Sequence, residues 1–279
     1  MNPHISLPRH NSSGPSTFGS TPPTRNEGIR MPRFFKRLFK FPQMDFEMAI
    51  WEMTSLIIAP KKVFRSIYYH KQTKNTWHRP DPSFTYLLSF FLLLTSLAWS
   101  LAYAPTLSQT LRITLTFIFI HFLGTSLLIS TLSYFLVGRL LGPGVPGLPG
   151  RRRQGLFSQP PGEGEMLEFG YCFDVSIRAF FPVWVVLYVV QFLGMPFVGK
   201  EYWVSLFFGN TLYLIAFGYY TIINFLGYNA LPFLQHTELL LAPTAVLIIL
   251  WFASLFGFSM PRHLAPVLWA GANLGSKAV

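Results

Sequence analysis

Residues 84–103 read FTYLLSFFLLLTSLAWSLAY and residues 113–137 read ITLTFIFIHFLGTSLLISTLSYFLV, two apolar runs without a single Lys, Arg, Asp or Glu. A helix rises 1.5 Å per residue, so roughly 20 such residues cross a hydrocarbon core of about 30 Å. Residues 204–225 and 239–258 have the same character, and residues 175–195 depart from it only at Arg178. Membrane-spanning strands would alternate apolar and polar positions, and these runs do not. Only 12% of the 279 residues are charged and 17% are aromatic, whereas soluble domains carry about a quarter charged residues. The expected fold is therefore all-α: a polytopic membrane protein with about five transmembrane helices, preceded by amphipathic interfacial helices.

Working outward from the spans, the charge distribution predicts an orientation. Residues 1–82 hold thirteen Lys/Arg against five Asp/Glu. The loop after the second span adds Arg139 and Arg151-Arg152-Arg153, whereas the first and third loops offer only Arg112 and Lys200. Cytoplasmic loops collect Lys and Arg, so the N-terminus is expected in the cytosol and the C-terminus in the lumen. Each basic residue near an anionic leaflet contributes about 1 kcal/mol. Anionic lipid is thus the expected partner of this charge, and nucleic acid is disfavoured. Residues 1–30 contain no apolar signal core, and the first span is expected to serve as an uncleaved signal.

Four regions are expected. Residues 1–32 are Pro-, Ser- and Thr-rich and read as a disordered cytosolic tail. Residues 33–82 read as basic, amphipathic and interfacial. In Arg33-Phe34-Phe35-Lys36-Arg37-Leu38-Phe39-Lys40, the aromatic residues and Leu38 share one helical face and the cations the other. Residues 44–58 are apolar but carry Asp45, Glu47 and Glu52, carboxylates expected at the cytosolic surface, and about fifteen residues do not span a bilayer. They read as an interfacial or re-entrant helix that Pro60 stops. A second basic helix follows from Lys61 to about Lys74, with Val63, Ile67 and Tyr68 facing inward and Lys62, Arg65 and Lys71 outward. Residues 83–259 form the five-span domain, with a flexible Pro/Gly-rich cytosolic loop at 138–168. Residues 260–279 read as a short lumenal tail.

Ionisable groups at membrane depth are candidates for function. His121 lies near the middle of the second span, either as a functional group or as a neutral imidazole bonded across helices. Asp174 and Arg178 have the spacing of an i, i+4 ion pair at the start of the third span, as an interfacial anchor. Asn210 and Asn224 are expected to form interhelical hydrogen bonds. Ser126 and Ser130 make a small-residue face. The one cysteine, Cys172, excludes an internal disulfide. No nucleotide, zinc-protease or serine-hydrolase signature is present. No catalytic residue, metal or cofactor is expected, and the chain reads as a non-enzyme.

Several segments resemble one family in order and spacing. They are Phe41-Pro42-Gln43-Met44-Asp45-Phe46-Glu47, Tyr69-His70-Lys71-Gln72-Thr73-Lys74-Asn75-Thr76-Trp77, Gly170-Tyr171-Cys172-Phe173-Asp174-Val175, and Gly209-Asn210-Thr211-Leu212-Tyr213 through Gly227-Tyr228-Asn229-Ala230-Leu231-Pro232. Together they resemble the uncoordinated-fifty (UNC-fifty) family of Golgi multi-pass proteins, also described as Gea-modulating membrane-protein homologues. The resemblance implies five spans, a Golgi location and a role in vesicle traffic. It also implies surface delivery of membrane proteins such as ligand-gated receptors, and association with Arf guanine-nucleotide exchange factors. Pro80 and the insertion at 142–162 depart from the family pattern.

The expected function is that of a trafficking factor whose cytosolic surface recruits such an exchange factor. Arg33, Phe34, Phe35, Lys36, Arg37, Lys40, Asp45, Glu47, Lys71, Lys74 and Trp77 would face lipid and partner, with client membrane proteins as further partners. The rival is a small-molecule or lipid transporter, which requires His121, Asp174, Asn210 and Asn224 to converge on one cavity.

Overall fold

The computed structural model describes residues 45–74, 77, 81–103, 106–142, 144–145, 148–149 and 166–268. The helices are α1 (Phe46–Ile58), α2 (Pro60–Lys74), α3 (Ser83–Tyr103), α4 (Leu107–Leu140), α5 (Phe169–Val198), α6 (Trp203–Asn229), α7 (Ala242–Ser254) and α8 (Met260–Leu268). A 3₁₀ turn, Thr237–Leu241, leads into α7. Five helical stretches, α3 to α6 and Thr237–Ser254, are long and apolar enough to cross a membrane. The expected polytopic all-α fold is what the chain adopts.

Two spans run well past their apolar cores. At 34 residues, α4 is about 50 Å long, so it tilts or projects beyond the bilayer. Both α4 and α5 widen midway into π-helical segments, Thr116–Gly124 and Trp184–Val190. In α5 the widening follows Pro182, whose missing N–H removes one rung of the helical ladder.

The connections place two rims. Asp81, Glu168 and Ala230 mark the first, at the starts of α3 and α5 and the end of α6. Thr106, Gly199–Tyr202 and Phe258 mark the second. Between them the outward faces carry exposed residues such as Leu193, Ile249 and Phe252. A continuous apolar exterior of this kind requires lipid as solvent.

α1 and α2 form a hairpin that enters the bundle from the first rim. At its start, the Asp81 carboxylate accepts the backbone N–H of Asp45 at 3.3 Å and of Ser83 at 3.1 Å, joining the beginnings of α1 and α3. At the far end of α1, the Tyr219 hydroxyl donates to the carbonyls of Leu56 (3.0 Å) and Ile57 (2.8 Å). Tyr219 lies ten residues before the end of α6, roughly 15 Å along its axis. Ile57 and Ile58 also share a cleft with Phe91 and Trp184, both deep in their spans. The tip therefore reaches roughly half the depth of the bundle. Of the two sequence readings, interfacial or re-entrant, this geometry favours the re-entrant one.

Pro60 opens α2, a position where its absent N–H costs nothing. The helix returns to the first rim with Val63, Phe64 and Ile67 buried. Close approach here depends on Gly227: a Cβ at that position would lie 2.7 Å from Val175 and 3.2 Å from Phe64.

Two sequence expectations need correction. Tyr68 does not face inward but is 42% exposed, because Phe64 takes the inward place on that face. Trp77, expected on the contact surface, is 3% exposed and packs edge-on against Tyr171 and Phe233. Within the Pro/Gly-rich loop, Gly144–Val145 pairs antiparallel with Leu148–Pro149. The expected lumenal tail begins with α8, where Arg262 donates to the Gly199 carbonyl and pairs with Glu201 at 3.1 Å. Residues 1–32 and the helix expected at Arg33–Lys40 lie outside the described residues.

Candidate functional site

The most concentrated polar chemistry inside the bundle joins α1 to α5. Glu52 sits on the same face of α1 as Ala49, Met53 and Leu56, and all four are buried. This carboxylate was expected at the surface; it is 2% exposed instead. It meets Arg178 of α5, itself 3% exposed. Arg178 Nε and Nη2 donate to Glu52 Oε2 at 3.1 and 2.9 Å. Arg178 Nη1 pairs with the Asp174 carboxylate one turn earlier and donates to the Asp174 carbonyl at 3.3 Å. The guanidinium lies 5.6 Å from the Phe84 ring of α3.

The expected Asp174–Arg178 pair is therefore present, but its placement differs from an interfacial anchor. Arg178 is nine residues into α5, roughly 14 Å from its start, and a third partner arrives on the re-entrant helix. One guanidinium thus ties three elements together. Buried charge requires such pairing, because an isolated ion in this environment costs several kcal/mol.

The remaining polar candidates stay apart. His121 Nδ1 lies 2.8 Å from the Tyr188 hydroxyl, where the two π-helical segments face each other. Trp99 Nε1 donates to the Tyr188 carbonyl at 2.9 Å, so α3, α4 and α5 meet at this point. Asn210 serves the second rim: its Nδ2 donates to Ser254 Oγ at 2.9 Å and to the Phe258 carbonyl at 2.8 Å, and its Oδ1 accepts the Met260 N–H at 2.8 Å. Asn224 Nδ2 donates to the Tyr220 carbonyl within α6. Ser126 and Ser130 are both buried, on the half of α4 that packs against α5. Among the described residues, His121, Asp174, Asn210 and Asn224 do not line one cavity. No three His, Cys, Asp or Glu there form a metal-binding group.

Asn210 orders the join between α6, the end of α7 and the start of α8. Replacing it with leucine is expected to cost about 1–3 kcal/mol, because the Met260 N–H and Phe258 carbonyl lose their partner. Thermal unfolding of the purified protein measures this. Proteolysis within 255–268 should rise in parallel.

The cations gather on α2, between the hairpin tip and the first rim. Lys61, Lys62 and Arg65 are exposed, and Lys71 Nζ stands 5.3 Å above the Trp77 ring. Asp45 and Glu47 are exposed at the start of α1. The Lys74 side chain and the whole of Arg33, Phe34, Phe35, Lys36, Arg37 and Lys40 lie outside the described residues. Sequence reasoning missed Glu52 as a structural partner and gave no role to Lys61 or Arg65 beyond general basicity. The spacing of Glu52 from Ala49 and Leu56, one turn on either side, was the available signal.

The sequence model of the UNC-50 family matches residues 34–269, which include every described element from α1 to α8. The GMH1 homologue of Schizosaccharomyces pombe is 39% identical over 241 residues, 85% of this chain and 97% of its own length. The unc-50 homologue A of Xenopus laevis is 39% identical over 82% of each chain. GMH1 of Saccharomyces cerevisiae is 37% identical over 84% of this chain and 85% of its own. No solved structure matches. With a family match across most of the chain and relatives covered nearly end to end, this multi-pass membrane protein belongs to the UNC-50 family.

Proposed function

We propose that the protein is a Golgi trafficking factor that supports vesicle-mediated transport and surface delivery of membrane proteins. Its cytosolic face would recruit an Arf guanine-nucleotide exchange factor. The observation that carries this reading is the cationic face of α2, held at the first rim by a hairpin anchored in the bundle through Glu52 and Arg178. The basic segment Arg33–Lys40 precedes that hairpin directly in sequence. Membership of a family associated with Golgi traffic and Arf exchange factors supports the choice of partner.

On this reading the first rim is cytosolic, as the Lys and Arg distribution favours. The cations lie against anionic lipid, while Asp45 and Glu47 remain available to the partner. Trp77 contributes by holding the rim together and not by direct contact. The transporter alternative has less support, because its four polar residues are dispersed among separate interhelical contacts.

Reversing Arg33, Lys36, Arg37 and Lys40 to Glu tests the proposal in the full chain. Co-precipitation of an Arf exchange factor is expected to fall, and the fraction of the protein at the Golgi with it. If both stay unchanged, the recruiting surface lies elsewhere.

A further inference from the structure

A cleft of about 500 Å³ opens at the first rim between α2 and the end of α6. Lys61 and Arg65, one turn apart on α2, stand on one side with Tyr68 and Tyr69 above them; Asn229 closes the other. Both cations are exposed, and neither takes part in an ion pair among the described residues. Like charges at i, i+4 repel on a bare helix. No carboxylate lines the cleft to relieve that repulsion.

We propose that this cleft binds the headgroup of an anionic glycerophospholipid bearing a phosphomonoester. Such a phosphate carries about −1.5 to −2 charges near neutral pH, which two cations balance. Arg65 offers a planar fork for two phosphate oxygens and Lys61 a mobile point charge. The donors for the remaining oxygens are in place as well. Thr237 Oγ1 donates to Asn229 Oδ1 at 2.8 Å, which leaves the Asn229 NH₂ as its donor end. The tyrosine hydroxyls complete the set.

Depth and surroundings select a lipid over a soluble phosphoester. Leu226, Asn229 and Ala230 mark the last turn of α6, so the open end of the cleft is level with headgroups, while Lys61, beside the hairpin tip, lines its inner end. Ile222 is exposed one turn deeper on the same helix. It continues the Leu226 wall as an apolar track for an acyl chain. The site depends on α2 returning to the membrane rim beside α6 and not on exchange-factor recruitment, so either proposal can fail alone.

The test uses the full-length protein in detergent, titrated with dioctanoyl phosphatidic acid, dioctanoyl phosphatidylcholine and glycerol 3-phosphate. Comparison is between wild type, Lys61→Gln/Arg65→Gln, and Lys62→Gln/Lys71→Gln, which removes equal charge outside the cleft. All four side chains are at or near the surface, and unchanged thermal unfolding without lipid verifies the fold of each variant. Saturable binding of phosphatidic acid is expected, weakened about tenfold or more in Lys61→Gln/Arg65→Gln and within about twofold of wild type in the control pair. Equal weakening in both variants would mean diffuse attraction to the basic helix and would overturn the site. Phosphatidylcholine binding as tightly would overturn the phosphomonoester assignment, and glycerol 3-phosphate binding as tightly would overturn the lipid. Absence of saturable binding would remove the proposal altogether.

Discussion

Replacing Arg178 with methionine is expected to destabilise the protein by about 3–5 kcal/mol, measured as loss of folded protein in detergent against temperature. Methionine retains much of the volume and apolar contact of the side chain. It leaves the carboxylates of Glu52 and Asp174 without their guanidinium. Ordinary polar contacts between spans contribute only about 0.6 kcal/mol each; uncompensated buried charge is the larger effect here. The double variant Glu52→Gln/Arg178→Met should recover part of the loss, because one of the stranded charges has been removed. A loss below about 1 kcal/mol for Arg178→Met would mean that the junction is hydrated and exchanges its partners freely.

The second large effect concerns Trp77. Truncation to alanine is expected to cost about 3–5 kcal/mol, the range for deleting a large aromatic residue from a core. Trp77 packs against Tyr171 at 6.4 Å and Phe233 at 6.2 Å between ring centroids, with Tyr68 on a further side. These rings belong to the α2 helix, the start of α5 and the segment after α6, so their contact seals the rim where the hairpin returns. A protein-contact role predicts another pattern: full thermal stability with weakened partner binding. Measuring unfolding and exchange-factor co-precipitation on the same variant separates the two.

The spans were legible because uninterrupted apolar runs have few physical outcomes. Their ends were not. α4 begins at Leu107, six residues before the apolar run, because helical hydrogen bonding continues through Thr110 and Arg112 once the chain leaves the lipid. The re-entrant hairpin was half legible: length excluded a span and Pro60 marked the tip, but depth was set by Tyr219 and Arg178, far away in sequence. Glu52 was read as a surface charge since carboxylates usually seek water, although its place among Ala49, Met53 and Leu56 pointed inward. His121 illustrates the same limit. Its position in the second span was plain, while its partner Tyr188 lies 67 residues away on a different helix. Trp77 lies between polar residues, and only the arrival of Tyr171 and Phe233 buries it. α8 went unread because nine residues around two prolines carry little helical signal by themselves, and its docking comes from Asn210 and Gly199.

Everything proposed for the first rim depends on α1 and α2 entering the membrane from that side and returning to it. Labelling of single introduced cysteines with a membrane-impermeant maleimide tests this most directly; native Cys172 is buried. Ile58 at the hairpin tip is 78% exposed on the protein, so only lipid shields it from the reagent. Gln72→Cys is expected to react from the cytosolic face, and Tyr202→Cys only once the lumenal face is opened. Ile58→Cys should react from neither. Labelling of Ile58→Cys together with Gln72→Cys would place both helices on the surface and contradict the re-entrant hairpin.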